Sequence, residues 1–259
     1  MQEAARKGKG NRSKGKLGPA MSFEYVQSVI ERLRILKGGM TYSQMESLSG
    51  VHPTLLCRYV TGSTRPSREQ ADLLERTLLK KSGFKEKLRQ KMIVAPNGYL
   101  DLHQVTGDPH ALRWISADVA MQFSKTKCDL VLTAAASGIT LATAVAIQMQ
   151  VPVIYATRTK SSGTGTYFEA DLPSTNPSEV STLYLPKSLI KKSSSILIVD
   201  DVATSGRTMS GLVSLAKEAG CRISGIFVLA SKSDIWKDRI AQMLDKDSKI
   251  SVLFELGQW

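Results

Sequence analysis

The sequence predicts an α/β protein, a mostly parallel sheet flanked by helices, preceded by an all-α unit. Beyond residue 99, short β-favouring apolar runs alternate with stretches of helical periodicity, the pattern of strands joined by right-handed crossovers. Before residue 82 apolar residues recur only at helical spacing. Charge divides at nearly the same place: residues 1–92 hold 19 Lys and Arg against 8 Asp and Glu, whereas the rest hold 16 against 15. The net charge of +12 therefore sits almost wholly in the first third, which points to a polyanionic partner, nucleic acid before membrane. The 259 residues suffice for two domains, and 42% apolar content supports a buried core. No apolar run approaches the roughly 18–20 residues of a membrane span, and no signal-peptide pattern opens the chain. Cys57, Cys128 and Cys221 are odd in number and widely spaced, so they read as reduced thiols of a cytoplasmic protein. With His52, His103 and His110 they form no zinc spacing, and no resident metal site is expected.

Residues 1–21 place Arg6, Lys7, Lys9, Arg12, Lys14 and Lys16 among Gly, Ser and Ala, with no apolar period. They read as a disordered basic arm, able to touch phosphates without sequence preference, or as a tail with no role. Residues 22–81 read as a helical DNA-binding domain. From Phe23 a helix carries Val26, Val29, Ile30 and Leu33 on one face and stops at Gly38-Gly39. Thr41 caps a short second helix, Ser49-Gly50-Val51 turns, and His52-Pro53 opens a third that ends near Gly62. Ser67 caps a fourth, which buries Ala71, Leu74 and Leu78. Two short helices joined by a Gly turn make a helix-turn-helix, whose second helix presents its first residues to the major groove. Thr54, Cys57, Arg58 and Thr61 face outward there, with Arg65 following, and are the candidate DNA contacts; Arg58 suits a guanine edge or a phosphate. The stretch from Thr41 to Gly62, through Ser67, resembles the lambda-repressor/Cro-like family in Ser49-Gly50-Val51, Leu56, Arg58, Tyr59 and Gly62. It departs at Glu46, where that family usually has a small residue under the next helix. A helical bundle serving only as a dimerisation cap is the other reading of these helices.

Residues 82–98 read as a linker: Lys80 to Lys91 is a mostly solvated basic helix, and Pro96-Asn97-Gly98 is the boundary turn. In residues 99–259, strands are expected at Tyr99–Leu102, Asp129–Thr133, Val151–Tyr155, Ser195–Val199, Ile223–Leu229 and Lys249–Phe254. Helices are expected at Leu112–Phe123, Leu141–Gln148, Met209–Ala219 and Trp236–Leu244. Within the polar stretch from Thr157 to Val180 and just beyond it, Tyr167–Ala170 and Thr182–Leu185 form an antiparallel flap.

The densest chemistry lies in Ile196-Leu197-Ile198-Val199-Asp200-Asp201-Val202-Ala203-Thr204-Ser205-Gly206-Arg207-Thr208. A buried strand runs into two carboxylates, a small hydroxylated loop and a helix start, the place where open α/β sheets bind ligands. Loop amides and the hydroxyls of Thr204, Ser205 and Thr208 suit a phosphate, and the carboxylates suit the vicinal hydroxyls of a sugar. Together they point to a ribose 5-phosphate group. The stretch resembles the phosphoribosyl-pyrophosphate (PRPP) motif of the type I phosphoribosyltransferase family. That resemblance implies the type I phosphoribosyltransferase fold, with Asp200 and Asp201 on the ribose hydroxyls and Ala203, Thr204, Ser205, Gly206, Arg207 and Thr208 around the 5′-phosphate. It also implies a pyrophosphate loop at Ala135, Ala136, Ser137 and Gly138, a mobile loop bearing Arg158 and Lys160, and Mg²⁺ arriving with PRPP. Family members often carry Lys or Arg where this chain has Ser137, and the 6-oxopurine branch has Asp at the position of Thr204.

From Leu100 to Leu253 the chain is similar to xanthine phosphoribosyltransferases and to the effector domain of the bacterial purine repressor. That likeness makes Lys232 and Trp236 base-pocket candidates; helical spacing alone would make Trp236 core. A helix-turn-helix joined to such a domain resembles archaeal transcriptional regulators of the GfcR kind. The expected function is a homodimeric regulator that binds double-stranded DNA and senses PRPP, a nucleotide or a nucleobase. The alternative is a working purine (xanthine, 6-oxopurine or adenine type) or orotate phosphoribosyltransferase, and an RNA-binding attenuator is a third reading.

Overall fold

A computed structural model describes residues 19–161, 165–172 and 181–257. Residues 1–18 of the expected basic arm, and residues 162–164 and 173–180 of the expected flap, lie outside the described residues. Helix α1 (Pro19–Lys37) begins at a proline, which a first helical position tolerates, and so starts earlier than the apolar period from Val26 implies. Helix α2 (Tyr42–Ser49) is closed by a reciprocal Thr41–Gln44 capping box, and Gly50 ends it in the left-handed region at φ 70°. Helix α3 (Pro53–Thr61) has Pro53 in its first turn and ends at Gly62. Helix α4 (Arg68–Leu74), capped by Ser67, runs on into a π-helical turn, Glu75–Leu79. Val29, Ile30 and Leu33 of α1 close a core with Met45, Leu56, Tyr59, Leu74 and Leu78.

Helix α5 (Phe84–Gln90) follows, then a small antiparallel pair, β1 (Ile93–Val94) and β2 (Leu100–Asp101), turned at Pro96–Gly98. Residues 82–98 are mostly exposed, as their composition suggested, but α5 is anchored to the next domain. Leu88 is buried in the core of the following domain, and Phe84 packs on Trp114 with ring centroids 5.2 Å apart. A short helix α6 (His103–Thr106) precedes α7 (Pro109–Gln122), whose Asp108 cap accepts from the His110 and Ala111 amides.

The rest alternates as the sequence implied: β3 (Leu130–Ala134), α8 (Gly138–Met149), β4 (Val153–Ala156), the hairpin β5 (Tyr167–Leu172) and β6 (Ser181–Pro186), then β7 (Ser195–Ala203). It closes with α9 (Arg207–Glu218), β8 (Arg222–Ser231), α10 (Ile235–Ala241) and β9 (Lys249–Glu255). The strands form a five-stranded parallel sheet in the order β4-β3-β7-β8-β9, with β7 at its centre. Successive residues of β7 serve opposite faces, Ile196 and Ile198 meeting α9 and the hairpin, Leu197 and Val199 meeting α7 and α8. Burial on both faces explains the unbroken apolar run of this strand. Among the described residues no helix is long and apolar enough to cross a membrane.

The two cores meet along α1. Its Ser28 hydroxyl donates to the Ala117 carbonyl at 2.8 Å, and Glu31 pairs with Arg113 at 3.0 Å. Between them Arg32, only 1% exposed, donates to Glu75 of the π-helical turn and to Asp118 of α7, the latter at 3.4 Å. A cation removed from water is tolerated here because two carboxylates hold it. Replacing it by an apolar side chain leaves both acids facing each other at the seam. Arg32→Met is expected to lower unfolding stability in urea by roughly 3 kcal/mol, near the lower bound for a broken buried pair because the acids are 14% exposed. Arg34→Met, which removes a pair with Glu31 that is a third exposed at the arginine, is expected to change it by less than about 1 kcal/mol.

Candidate functional site

The carboxyl end of β7 carries the acid pair. The strand does not stop at Val199, as its apolar run implied, but continues to Ala203, because β8 keeps pairing with it: Asp200 lies opposite Val228, Val202 opposite Ala230 and Ala203 opposite Ser231. Asp200 and Asp201 are therefore held on a central strand and are buried, 6% and 8% exposed. The Ser137 hydroxyl donates to Asp201 Oδ1 at 3.0 Å, and the Val202 amide donates to the same oxygen at 3.0 Å. The Asp201 amide donates to Asp200 Oδ1 at 3.1 Å. Burial, and then the neighbouring Asp201 carboxylate, push the Asp200 carboxyl well above the usual carboxylate range.

Thr204, Ser205 and Gly206 connect β7 to α9 and line a cleft of about 390 Å³ together with Ala203, Arg207 and Thr208. Amides at the start of this 12-residue helix offer an anion unsatisfied donors and the positive end of the dipole. Gly206 sits at φ 77°, and a Cβ there would lie 2.7 Å from the Cβ of Trp236. Trp236 is fully buried beneath this loop, its indole N–H donating to Ser231 Oγ at 2.8 Å, and it lines neither cleft. Its expected place in a base pocket is thus corrected; α10 packs it against the phosphate-type loop as core. The same turn is bound to that loop twice more, through the Lys232 amide to the Ala203 carbonyl (3.1 Å) and the Ser233 hydroxyl to the Thr204 carbonyl (3.3 Å).

A second cleft of about 340 Å³ adjoins the first and shares Asp200, Thr204 and Thr208 with it. Ala135 and Ser137 form one wall, and the Ala135–Ala136 peptide is cis. Gly138 opens α8 where a side chain would collide with the Thr133 hydroxyl and stand 3.0 Å from Asp200 Oδ1. That hydroxyl is fully buried and has no hydrogen-bond partner among the described residues. Lys232 lines this cleft too, as does Tyr99, a residue the sequence reading placed on a strand but not in the site. Tyr99 is 58% exposed, with Leu100 buried beside it, and a pattern this short does not show which way such a ring faces.

Arg158 lines both clefts and donates to Ser181 of the hairpin. Lys160 does not join it. Its ammonium pairs with Glu169 at 2.6 Å and lies 4.9 Å from the Tyr184 ring centroid, so it is spent on the hairpin. The cations that line the clefts are Arg158, Arg207 and Lys232, and the carboxylates are Asp200 and Asp201. No cluster of three or more potential metal ligands occurs among the described residues.

In the helical domain, α2 and α3 are joined by the three residues Gly50, Val51 and His52. Leu56 and Tyr59 point into the helical core, whereas Thr54, Arg58 and Thr61 are exposed and Cys57 is half-buried. Arg65 is exposed and lies over the Phe23 ring at 4.5 Å.

Residues 109–258 match the family described as the phosphoribosyl transferase domain. The purine biosynthesis transcriptional activator PurR of Lactococcus lactis subsp. lactis is 30% identical over 154 residues. That alignment takes in 60% of this chain but only 57% of the length of that regulator. The purine biosynthesis transcriptional repressor PurR of Bacillus subtilis is 28% identical over 214 residues, 80% of this chain and 70% of that protein. A xanthine phosphoribosyltransferase of Lactobacillus delbrueckii subsp. bulgaricus is 28% identical over 58% of this chain and 82% of the enzyme. Among solved structures, adenine phosphoribosyltransferase from Rhodothermus marinus superposes with a TM-score of 0.59 at 18% identity, over 68% of this chain and all of that one.

The raised Asp200 carboxyl has a consequence for stability. With the folded value above the unfolded one, the folded state binds the extra proton between them, so stability falls as pH rises through that window. Asp200→Asn removes the burdened charge and is expected to raise the urea midpoint at pH 7. The gain should shrink as pH falls toward the ordinary carboxylate range; a gain that is independent of pH would contradict the assigned cause.

Proposed function

The chain belongs to the phosphoribosyl transferase domain family and has the type I phosphoribosyltransferase fold, and from that premise we propose that it is a DNA-binding transcriptional regulator sensing PRPP or a nucleotide or nucleobase. The carrying observation is the shared helix α1. One side of it closes the core under α2 and α3, and the other is bound to α7 of the domain that holds the clefts. A sensor needs such a physical connection between its ligand clefts and its DNA-contacting helices.

In this reading the first cleft takes the 5′-phosphate on Thr204–Thr208, with Arg207 and the α9 amides supplying positive charge. Asp200 and Asp201 accept the ribose 2′ and 3′ hydroxyls, donors added to the amides and the Ser137 hydroxyl that already serve them. The loop Ala135–Gly138 faces the pyrophosphate, with Arg158 as its cation; Lys160 joins only by leaving Glu169. Lys232 and Tyr99 meet the base. Two acids, with no third acidic, His or Cys ligand clustered beside them among the described residues, suit Mg²⁺ that arrives on a diphosphate, since Mg²⁺ commonly takes one or two carboxylates plus substrate oxygens. When bound with PRPP it would neutralise diphosphate charge beside Asp200 and Asp201. The α2–α3 pair acts as a helix-turn-helix, with Thr54, Cys57, Arg58, Thr61 and Arg65 toward DNA in a homodimer of the GfcR kind. Ligand shifts DNA affinity only in so far as it prefers one arrangement of the two units.

A second reading, an active purine phosphoribosyltransferase, is favoured by the likeness to xanthine phosphoribosyltransferase together with an intact acid pair and Arg158 in the cleft. Incubation with labelled PRPP and a panel of bases separates the two: nucleotide formation would establish turnover. The double substitution Asp200→Asn with Asp201→Asn is expected to abolish binding of PRPP by calorimetry while leaving DNA binding measurable. Arg58→Ala is expected to weaken operator binding by roughly 1–3 kcal/mol if it reads a base. Unchanged operator affinity would move the DNA contact off α3.

A further inference from the structure

The basic helix α5 has no part in either reading so far. Its Phe84 and Leu88 pack inward, which leaves one cationic flank on each side of the helix. On one flank Lys80, Lys85 and Arg89 border a hollow against Leu253–Glu255, and the Lys85 ammonium lies 5.4 Å from the Phe254 ring centroid. On the other flank Lys87 borders a cleft walled by Gly38, Gly39 and Met40, the turn between α1 and α2. That turn continues toward α3. The Lys37 ammonium lies 4.9 Å from the ring centroid of Tyr42, the first residue of α2. Tyr42, Lys37 and the Gly38–Met40 turn therefore lead from the start of α2 to Lys87. Neither lysine enters an ion pair among the described residues, unlike Lys91, which is held by Asp108 at 2.5 Å. Gly38 and Gly39 are exposed and carry no side chain to keep a large polyanion away.

Resting on the reading of α3 as the DNA-contacting helix, we propose that the DNA surface extends over Lys37 to Lys87, so that a helix anchored in the ligand-binding domain contacts the phosphate backbone. When the second helix of such a pair enters the major groove, the first crosses the backbone. Tyr42, in the first turn of α2, then stands at the strand edge, and Lys37 and Lys87 lie along it. Such contacts add affinity and fix register without reading sequence. They also give the ligand-binding domain a direct hold on DNA, since α5 moves with the core that contains Leu88 and Trp114.

The test uses the full chain and a fluorescein-labelled mixed-sequence duplex of about 30 base pairs, with anisotropy measured across a NaCl series, because the phosphate term alone sets that affinity and its salt slope. Lys37→Gln with Lys87→Gln is expected to reduce the slope of log K against log salt by about two, at roughly 0.9 for each lost phosphate contact. Lys85→Gln with Arg89→Gln, on the far flank, is expected to leave it unchanged. An unaltered slope in the first pair, or equal losses in both pairs, overturns the proposal while a weakened Arg58→Ala protein leaves the α3 reading standing. Failure of the wild-type chain to bind the duplex at low salt overturns both.

Discussion

The placement of Arg32 is the constraint on which the rest of the molecule depends. A guanidinium almost wholly excluded from water demands carboxylates, and it finds them on two different units, Glu75 in the helical domain and Asp118 on α7. Each acid alone would leave the cation half satisfied, so the pairing specifies how α1 lies between the two cores. Its neighbours then fall into register: Ser28 on the Ala117 carbonyl, Glu31 on Arg113, and Ile35 in the core that Leu88 and Trp114 share. A buried ion pair of this kind contributes little net stability compared with an apolar contact, and its value lies in excluding other arrangements. Here the arrangement it selects puts the exposed face of α3 on the same body as the clefts.

The clefts follow from a second burial, of opposite sign. Parallel strands with covered faces leave their polar chemistry to the carboxyl ends, and β7 extends that end by pairing Asp200 through Ala203 with β8. The carboxylates are thereby fixed in position but poorly solvated, and Asp200 holds its proton to unusually high pH. Strain in the free protein of this kind is relieved by a ligand that donates hydrogen bonds, as ribose hydroxyls do. The turn from Ser231 to Trp236 adds order to the other end: it is hydrogen-bonded to Ala203 and Thr204, packs under Gly206 and presents Lys232 to the second cleft. The phosphate-type loop and the lysine of the neighbouring cleft are thus one mechanical unit.

Much of this was legible in the chain because the relevant signals are local. Caps at Thr41 and Ser67, the αL glycines at Gly50 and Gly62 and the apolar run of β7 each define their own few residues, and the motif from Asp200 to Thr208 defines a strand, a loop and a helix start together. What escaped notice depends on contacts remote in sequence. Trp236 reads both as a base-pocket candidate and, by its helical spacing, as core, and the close approach of α10 to Gly206 decides for core. Tyr99 lies just before the two-residue strand β2, too short for alternation to assign a face, yet it borders the second cleft. Lys160 lies in a loop that looks free until Glu169 of the hairpin takes its charge. Lys80–Lys91 reads as solvated because its cations outnumber Phe84 and Leu88, although those two residues anchor the segment.

A route between the clefts and α3 exists in the packing. Ser137 and Gly138 begin α8, α8 packs on α7, α7 is pinned to α1 through Asp118, and α1 closes the core beneath Leu56 and Tyr59. Contiguity alone does not make such a route regulatory, because a rigid path transmits nothing unless it has two arrangements that ligand distinguishes. The element best placed to have two is the acid pair with its loop. Ser137 now donates to Asp201, and a ribose hydroxyl that takes over as donor to that carboxylate would release it. The free energy available to regulation is the difference in ligand affinity between the two arrangements, and no larger.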